Sequence, residues 1–454
     1  MEHRSGDGAG RTEEVSLVRS VLASLVVPCA IGVATGACVA GASHLVEDLA
    51  LAELAKLPDA WPALPSLFGL LLTLLAVRWV TRVARPATAE VYILAYHDPH
   101  GRIPLRQLPG RVLAAAATVA SGGSQGLESP SALLGASFGQ IAGGRLRSVV
   151  GAYHARSWMI AGASAGIAAV FSSPGVGMMY GIEVPFRRDV DAPRLVPAAV
   201  AAAASYATRA ALVGPSTLVT LRMEPTLDVL LLVGCLLTAV GCGIGARLFA
   251  LATEELRRLA SRMSAVVRAA VGGVLLATLA FTAHELSGAW LTFGPGYVAA
   301  RWLEGGEHAI GLLALTMLVR TAGTLTCVWG GGGGGVFTSL AVTGVFVGEI
   351  VAQALGRSES NFLPLLGSAI FLGAGYRIPL AGMLLVAESS GSLVLTMIGV
   401  VGVAIGQVLM GPRSVSDAQR ERRTPEELFD EAAQRGTGAA SARSDAVGAG
   451  RGSR

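Results

Sequence analysis

The stretch Gly122-Gly123-Ser124-Gln125-Gly126-Leu127-Glu128-Ser129-Pro130-Ser131 constrains this chain more than any other. It separates two apolar segments, 112–120 and 132–139. Neither approaches the roughly 20 residues that cross a hydrocarbon core. Irregular backbone at membrane depth survives only where protein or a water-filled cavity covers it. Two short apolar segments around a glycine-rich break therefore read as half-helices meeting at a site. Ser129-Pro130 suits the first turn of the second segment, because proline there gives up an amide that has no partner anyway. The free amides and positive end of that helix then face the break and favour an anion. Glu128 is the acid of this neighbourhood and lies beside those amides. A plain helix cap at a membrane surface is the simpler role for it, but an acid flanked by apolar halves is costly without a use.

The rest of the chain carries the same membrane signature. Of 454 residues, 52% are hydrophobic and 15% charged, where a soluble chain has about 25% charged residues. Long apolar runs then imply an all-α, polytopic membrane protein. The net charge of +4 comes from arginines in loops and tails and gives no reason to expect nucleic acid as a partner. Cys29, Cys38, Cys235, Cys242 and Cys327 all fall in apolar segments and read as small buried side chains. The polar stretch 96–104 contains His97, Asp98 and His100, but its Pro and Gly mark a turn and the spacing fits no metal site. No metal and no cofactor is expected.

Residues 1–16 form a polar tail, and the apolar run from about 18 to 45 is too long for the core of a cleavable signal. A membrane domain is expected over 17–411, as two repeats of about 17–213 and 226–411. Residues 412–454 are polar and expected to be disordered, apart from a short helix opened by Thr424-Pro425-Glu426-Glu427. The repeat itself is visible. Gly126, Gly135 and Gly139 recur as Gly335, Gly344 and Gly348, at a constant offset of 209. Pro174, Gly177, Met178 and Glu183 recur as Pro379, Gly382, Met383 and Glu388, at an offset of 205. Two related halves with broken helices place a transport site between the repeats. Gly126 and Gly335 should then face one another across a pseudo-two-fold axis, each at the start of a helix.

At these residues the chain resembles the CLC family of chloride channels and chloride/proton exchangers. Gly126-Leu127-Glu128-Ser129-Pro130 is similar to the family's G(K/R)EGP motif, which carries its gating glutamate. Gly335-Val336-Phe337-Thr338-Ser339 resembles its GxFxP motif, with Arg320 and Cys327 ahead of it at family-like spacing. Residues 161–183, through Pro174 and Glu183, resemble the next helix pair, and Ile378 to Glu388 the matching pair of the second half. The ordered set covers roughly 18–411. The resemblance implies inverted halves, a homodimer with one pore per subunit, and a multi-pass position in the cell membrane with both termini cytoplasmic. It implies an anion path lined by Gly126, Leu127, Glu128, Gly335, Val336, Phe337 and Gly101, with Glu128 as the gate.

Several positions depart from the family pattern. His100-Gly101-Arg102-Ile103-Pro104 aligns Gly101 with the serine of the GSGIP motif. Val415 stands near the family's late tyrosine, Leu127 replaces a basic residue and Ser339 a proline. Inner anion binding should accordingly be weak. The exchangers' second, proton-receiving glutamate follows the Glu183 position, where this chain has Val184, as channel members do. Glu183 and Glu388 are candidate accessory acids, with interface pairing as the simpler role for both. The resulting expectation is passive, channel-like or uncoupled movement of chloride or a similar small anion. A proton-coupled chloride antiporter is the alternative, and a fluoride exporter ranks third. No catalytic nucleophile with its base, and no HExxH metal motif, argues for an enzyme.

Overall fold

The computed structural model describes residues 21–58, 61–81, 89–98, 102–146, 154–214 and 217–423. Among them the chain is helical, with two isolated β-bridges and no named strand. The first half contains α1 (Ala23–Ala55), α2 (Trp61–Val80), α3 (Ala89–His97), α4 (Leu108–Ala120), α5 (Glu128–Arg145), α6 (His154–Phe171), α7 (Pro174–Glu183) and α8 (Leu195–Val213). The second half contains α9 (Val229–Ser261), α10 (Ala265–Ser287), α11 (Tyr297–Glu304), α12 (Ile310–Gly330), α13 (Phe337–Ala354), α14 (Phe362–Tyr376), α15 (Pro379–Ser390) and α16 (Leu393–Met410). Eight helices among the described residues are long and apolar enough to cross a membrane. Their outer faces carry bare aliphatic side chains such as Val229 (77% exposed) and Val408 (79% exposed). Such faces are at home against lipid tails, which are as apolar as leucine.

The first helix outruns its apolar window. The apolar run fades near Leu45, yet the helix continues through a π-helical turn, His44–Ala50, to Ala55. Its ladder of backbone bonds passes Glu47, Asp48 and Glu53 and stops just before Pro58, which cannot continue it. At about 1.5 Å per residue, its 33 residues exceed the roughly 30 Å hydrocarbon thickness.

The two halves are built alike. In each, the first helix packs on the last and on the broken pair: α1 on α6 and α8, α9 on α14 and α16. Equivalent elements also meet each other across the molecule, α5 with α13 and α7 with α15. The recurring glycines explain the tight crossings. A Cβ on Gly135 would lie 1.9 Å from the Gly162 carbonyl oxygen, and one on Gly344 would lie 2.1 Å from that of Gly367. Only glycine lets those backbones approach so closely. The breaks match as well. Ser172 between α6 and α7, and Arg377 between α14 and α15, both take left-handed backbone at φ 51° and 58°.

The polar stretch after Gly411 does not leave the body at once. Up to Arg423 it packs under α7 and α14, with Val415, Ser416 and Gln419 buried. Gln419 Nε2 donates to the carbonyls of Val184 (2.9 Å) and Tyr376 (2.8 Å). Arg420 forms a parallel bridge with Phe186, and the Arg187 amide donates to the Arg420 carbonyl at 2.8 Å. Composition misses this because backbone pairing, Gln419 and ion pairs such as Arg257–Asp417 and Arg423–Asp189 make much of the attachment, with Val415 as a lone buried aliphatic anchor. The expected helix from Thr424 lies outside the described residues.

Candidate functional site

The two glycine-rich breaks fold the same way. After α4, the Gly122 and Gly123 amides donate to Val119 and Thr118 carbonyls at 2.9 Å each, with Gly122 at φ 89°. After α12, the Gly331 and Gly332 amides donate to the Cys327 carbonyl at 3.1 and 2.7 Å, with Gly331 at φ 92°. Each break thus closes its own helix and turns back. The two then pair antiparallel: Gly126 N–H donates to Gly335 O at 3.0 Å and Gly335 N–H to Gly126 O at 2.8 Å. Side chains stitch the rest. Gly334 N–H donates to Gln125 Oε1 (3.1 Å) and Gly333 N–H to Thr118 Oγ1 (2.9 Å). Backbone that would be costly in lipid is therefore paired within protein.

This pairing puts two helix N-termini side by side. Leu127 caps α5 and Val336 caps α13, neither with a side-chain hydrogen bond, so Glu128 and Phe337 are the first residues of equivalent helices. Glu128 is fully buried, and its carboxylate lies over the start of the other half's helix. Oε1 accepts from the Thr338 amide at 3.3 Å and from the Thr338 hydroxyl. Oε2 is buried with no hydrogen-bond partner among the described residues. The glycines make room: a Cβ on Gly126 would lie 2.2 Å from Glu128 Oε1, and one on Gly335 would lie 2.7 Å from Oε2. The carboxylate thus sits where amides and a positive helix end would hold a free anion.

A cation supports the site without touching it. Arg320, 1% exposed, spends its guanidinium on backbone carbonyls of the 291–295 loop: Leu291 (2.5 Å), Gly294 (3.2 Å) and Pro295 (2.5 Å). Its charge is an electrostatic neighbour of Glu128. An anion at α13 would feel this positive charge at a distance, and no direct ion pair would trap it. The Phe337 ring faces Phe171 edge-on at 4.8 Å and Tyr180 edge-on at 5.3 Å, with Tyr376 tilted at 5.5 Å.

Glu183 and Glu388 do not join this cluster. Glu183 accepts from the amides of Leu380 (2.9 Å) and Ala381 (2.8 Å), at the start of α15. Glu388 accepts from the Gly175 amide (2.6 Å) and the Ser173 hydroxyl, at the start of α7. Each acid caps a helix of the opposite half and so neutralises its orphan donors. Gly101 lies outside the described residues. The chain just after it is held to α5 by Gln140, whose Nε2 donates to Ile103 O at 2.9 Å while its Oε1 accepts from Ile103 N–H. Val415 is buried, and its amide donates to Gly375 O at 2.9 Å.

The motif comparison overlooked four contributors. Thr338 is one place beyond the repeat-mate of Glu128, so the offset of 209 could have pointed to it. Tyr180 and Tyr376 are tyrosines inside short apolar helices, where a hydroxyl needs a reason. Glu47 lies on the π-helical turn of α1, with a buried, unpartnered Oε1, and has Glu128 and Arg209 as electrostatic neighbours. A π-helical turn often marks a functional position, but no sequence pattern announced it.

The profile of the voltage-gated chloride channel family matches residues 68–411. The chain belongs to that family, the CLC proteins. A "putative chloride channel protein ClcB-like" of Ralstonia nicotianae is 27% identical over 361 residues, covering 75% of this chain and 80% of the relative. An "H(+)/Cl(-) exchange transporter ClcA" of Vibrio parahaemolyticus is 26% identical over 325 residues, covering 66% and 67%. The fold matches the crystal structure of a CLC-type fluoride/proton antiporter with TM-score 0.76 at 22% identity, over 88% of this chain and 98% of the other. It also matches a slow cyanobacterial Cl-/H+ antiporter with TM-score 0.75 at 20% identity, over 87% and 96%. The inverted-repeat CLC fold and a multi-pass membrane position follow.

Proposed function

We propose that the chain carries chloride, or a similar small monovalent anion, across the membrane with Glu128 as its gate. The observation behind this reading is the seat of the Glu128 carboxylate on the Thr338 amide and hydroxyl, at the N-terminus of α13. A carboxylate held by the donors an anion would use is a competitor for that anion. Protonating it removes the charge those donors hold and frees the position. The path is formed by backbone at Gly126, Leu127, Gly335, Val336 and Phe337, with Gly101 as its inner contact. Transport rather than catalysis is the role, and the working unit is a homodimer in the cell membrane, both termini cytoplasmic. Residues 17–411 are its membrane domain, flanked by a tail 1–16 and by 412–454, of which 412–423 packs on the body.

Movement is uncoupled from protons in this reading. Val184 cannot relay a proton, and Glu183 is engaged in capping α15. Proton-coupled exchange is the second reading. It is favoured by relatives that carry the exchange name and by the unpartnered Glu128 Oε2, an atom placed to take a proton. Liposome flux decides between them: a chloride gradient, an internal pH dye and voltage clamped by valinomycin. Passive chloride flux without proton movement supports the first reading. Uphill proton movement that Glu128→Ala abolishes establishes the second, and absence of halide flux sinks both.

A further inference from the structure

Three buried carboxylate oxygens among the described residues have no hydrogen-bond partner: Glu128 Oε2, Asp191 Oδ1 and Glu47 Oε1. Asp191 is otherwise engaged, since its other oxygen accepts from the Tyr96 hydroxyl at 2.5 Å and pairs with Arg194. Glu183 and Glu388 cap helices, and Glu349 accepts from Gln353 at 2.9 Å. Glu47 is left without such a role. An acid within a membrane segment and without a structural partner points to ion or proton traffic.

Its position suits that traffic. Glu47 stands on the π-helical turn His44–Ala50, in the second half of α1. This turn packs against α4, the half-helix that ends at the Glu128 break. The adjacent Val46 and, one turn on, Leu51 share an apolar cluster with Leu127, the residue before Glu128. Leu51 also meets the 291–295 loop, 2.7 Å from where a Cβ on Gly294 would lie, and the Gly294 amide donates to Gly123 O in the break at 3.1 Å. The charged and titratable groups that face Glu47 are Glu128 on α5, Arg209 on α8 and Tyr297 on α11, with Asp48 beside it. Three of these are held elsewhere. Arg209 donates to Ser172 Oγ (2.7 Å) and Gly214 O (3.0 Å), Tyr297 to Val170 O (3.1 Å), and Asp48 pairs with His44 at 3.2 Å on the exposed side. Glu128 remains as the group with which Glu47 can exchange a proton.

The gate needs such a neighbour. Glu128 is 0% exposed, so solvent does not reach its seated carboxylate. Glu47 is only partly buried, with one oxygen inside the protein. With the termini cytoplasmic, α1 crosses once and its second half lies toward the outer face. We infer that Glu47 is the acid through which protons from the outer solution reach Glu128. The carboxyl O–H of Glu47 breaks as an O–H forms on Glu128 Oε2. Glu128 becomes neutral and leaves its seat on Thr338, and the Glu47 carboxylate takes a new proton from hydronium in the outer solution. This rests on the transport reading above and adds to it the way in for the proton that opens the gate.

The speed of the gate's response to acid tests this. Proteoliposomes on a solid-supported membrane receive a rapid external step from pH 7.5 to 4.5 under a chloride gradient, and the rise of the chloride current is timed. A positioned proton donor contributes about 10²–10⁴-fold, so the rise should slow by about a hundredfold or more in Glu47→Gln. Imidazole buffer, a small diffusible acid at the final pH, should restore part of the rate in that variant. Asp48→Asn should respond as wild type does. The double variant Glu47→Gln/Glu128→Gln should carry chloride before the step, which reports an intact fold and path. Glu47→Gln protein that responds at the wild-type rate overturns the inference and leaves the transport reading intact. Slowing that imidazole does not relieve overturns it as well, because Glu47 then positions the gate instead of supplying its proton. A wild type without halide current, or with a current that ignores pH, refutes the gated-transport reading and the inference together.

Discussion

Replacing Thr338 by valine isolates the latch on Glu128. Thr338 is fully buried, and its hydroxyl and amide both donate to Glu128 Oε1. Valine preserves the β-branched shape and the amide but deletes the hydroxyl donor. That hydrogen bond to a charged acceptor contributes about 1.5–3 kcal/mol, and about 1.4 kcal/mol is tenfold in an equilibrium. The seated state of the ionised carboxylate should lose roughly ten- to hundredfold against the displaced state. The assay is chloride efflux from proteoliposomes at external pH 7.5 and 4.5. Wild type should accelerate on acidification, as protonation frees the carboxylate from its seat. Thr338→Val should already be fast at pH 7.5, its acid-to-neutral ratio reduced about tenfold, and Thr338→Ser should restore the ratio by returning the hydroxyl. If Thr338→Val keeps the wild-type ratio while Glu128→Gln abolishes it, the hydroxyl is not the latch and the argument from the seat is wrong.

Gly126→Ala should push the carboxylate off its seat, because the new Cβ meets Glu128 Oε1 at 2.2 Å and that flexible side chain can swing away; efflux with unchanged pH dependence would refute this. Glu183→Gln should lower the melting temperature in detergent while leaving the ion selectivity of flux unchanged, since an amide has one acceptor oxygen for the two donors of Leu380 and Ala381; lost proton movement at full stability would show a transport role instead. Gly344→Ala should cost about 1–3 kcal/mol by overpacking the crossing with Gly367, read as a lower melting temperature and folding yield, and an unchanged melt would contradict the close approach. At Asp189 partial burial favours protonation, but the hydrogen bonds and charge of Arg423 outweigh it and hold the carboxyl below its ordinary value of 3.8. A lowered native pKa adds stability that is fully present above the unfolded value and is lost as pH falls through the native one. Residues near Arg423 should therefore exchange amide hydrogens faster at pH 3 than at pH 6 after correction for intrinsic rates, and equal protection would count against the contact.

Much of this protein is written locally. A bilayer forces every backbone group to pair inside the protein, so apolar length and glycine breaks alone located the spanning and broken helices, and the offset of 209 paired Gly126 with Gly335 before any geometry was known. Glu128 was legible for the same reason: an acid between apolar halves stands out against its own neighbours. The end of α1 and the attachment of residues 412–423 were not, because a helical ladder through Glu47 and Asp48, and the bonds of Gln419, depend on what lies across from them. The partners of the key side chains were hidden more deeply. Glu128 is held by Thr338, Glu183 by Leu380 and Ala381, Glu388 by Gly175, and Phe337 by Tyr180 and Tyr376. Most of these contacts cross from one half to the other. The sequence shows that two halves exist and where each is broken. Only their docking decides which helix end receives which carboxylate, since a hydrogen bond needs donor and acceptor within about 3 Å and no local pattern records a neighbour some two hundred residues away.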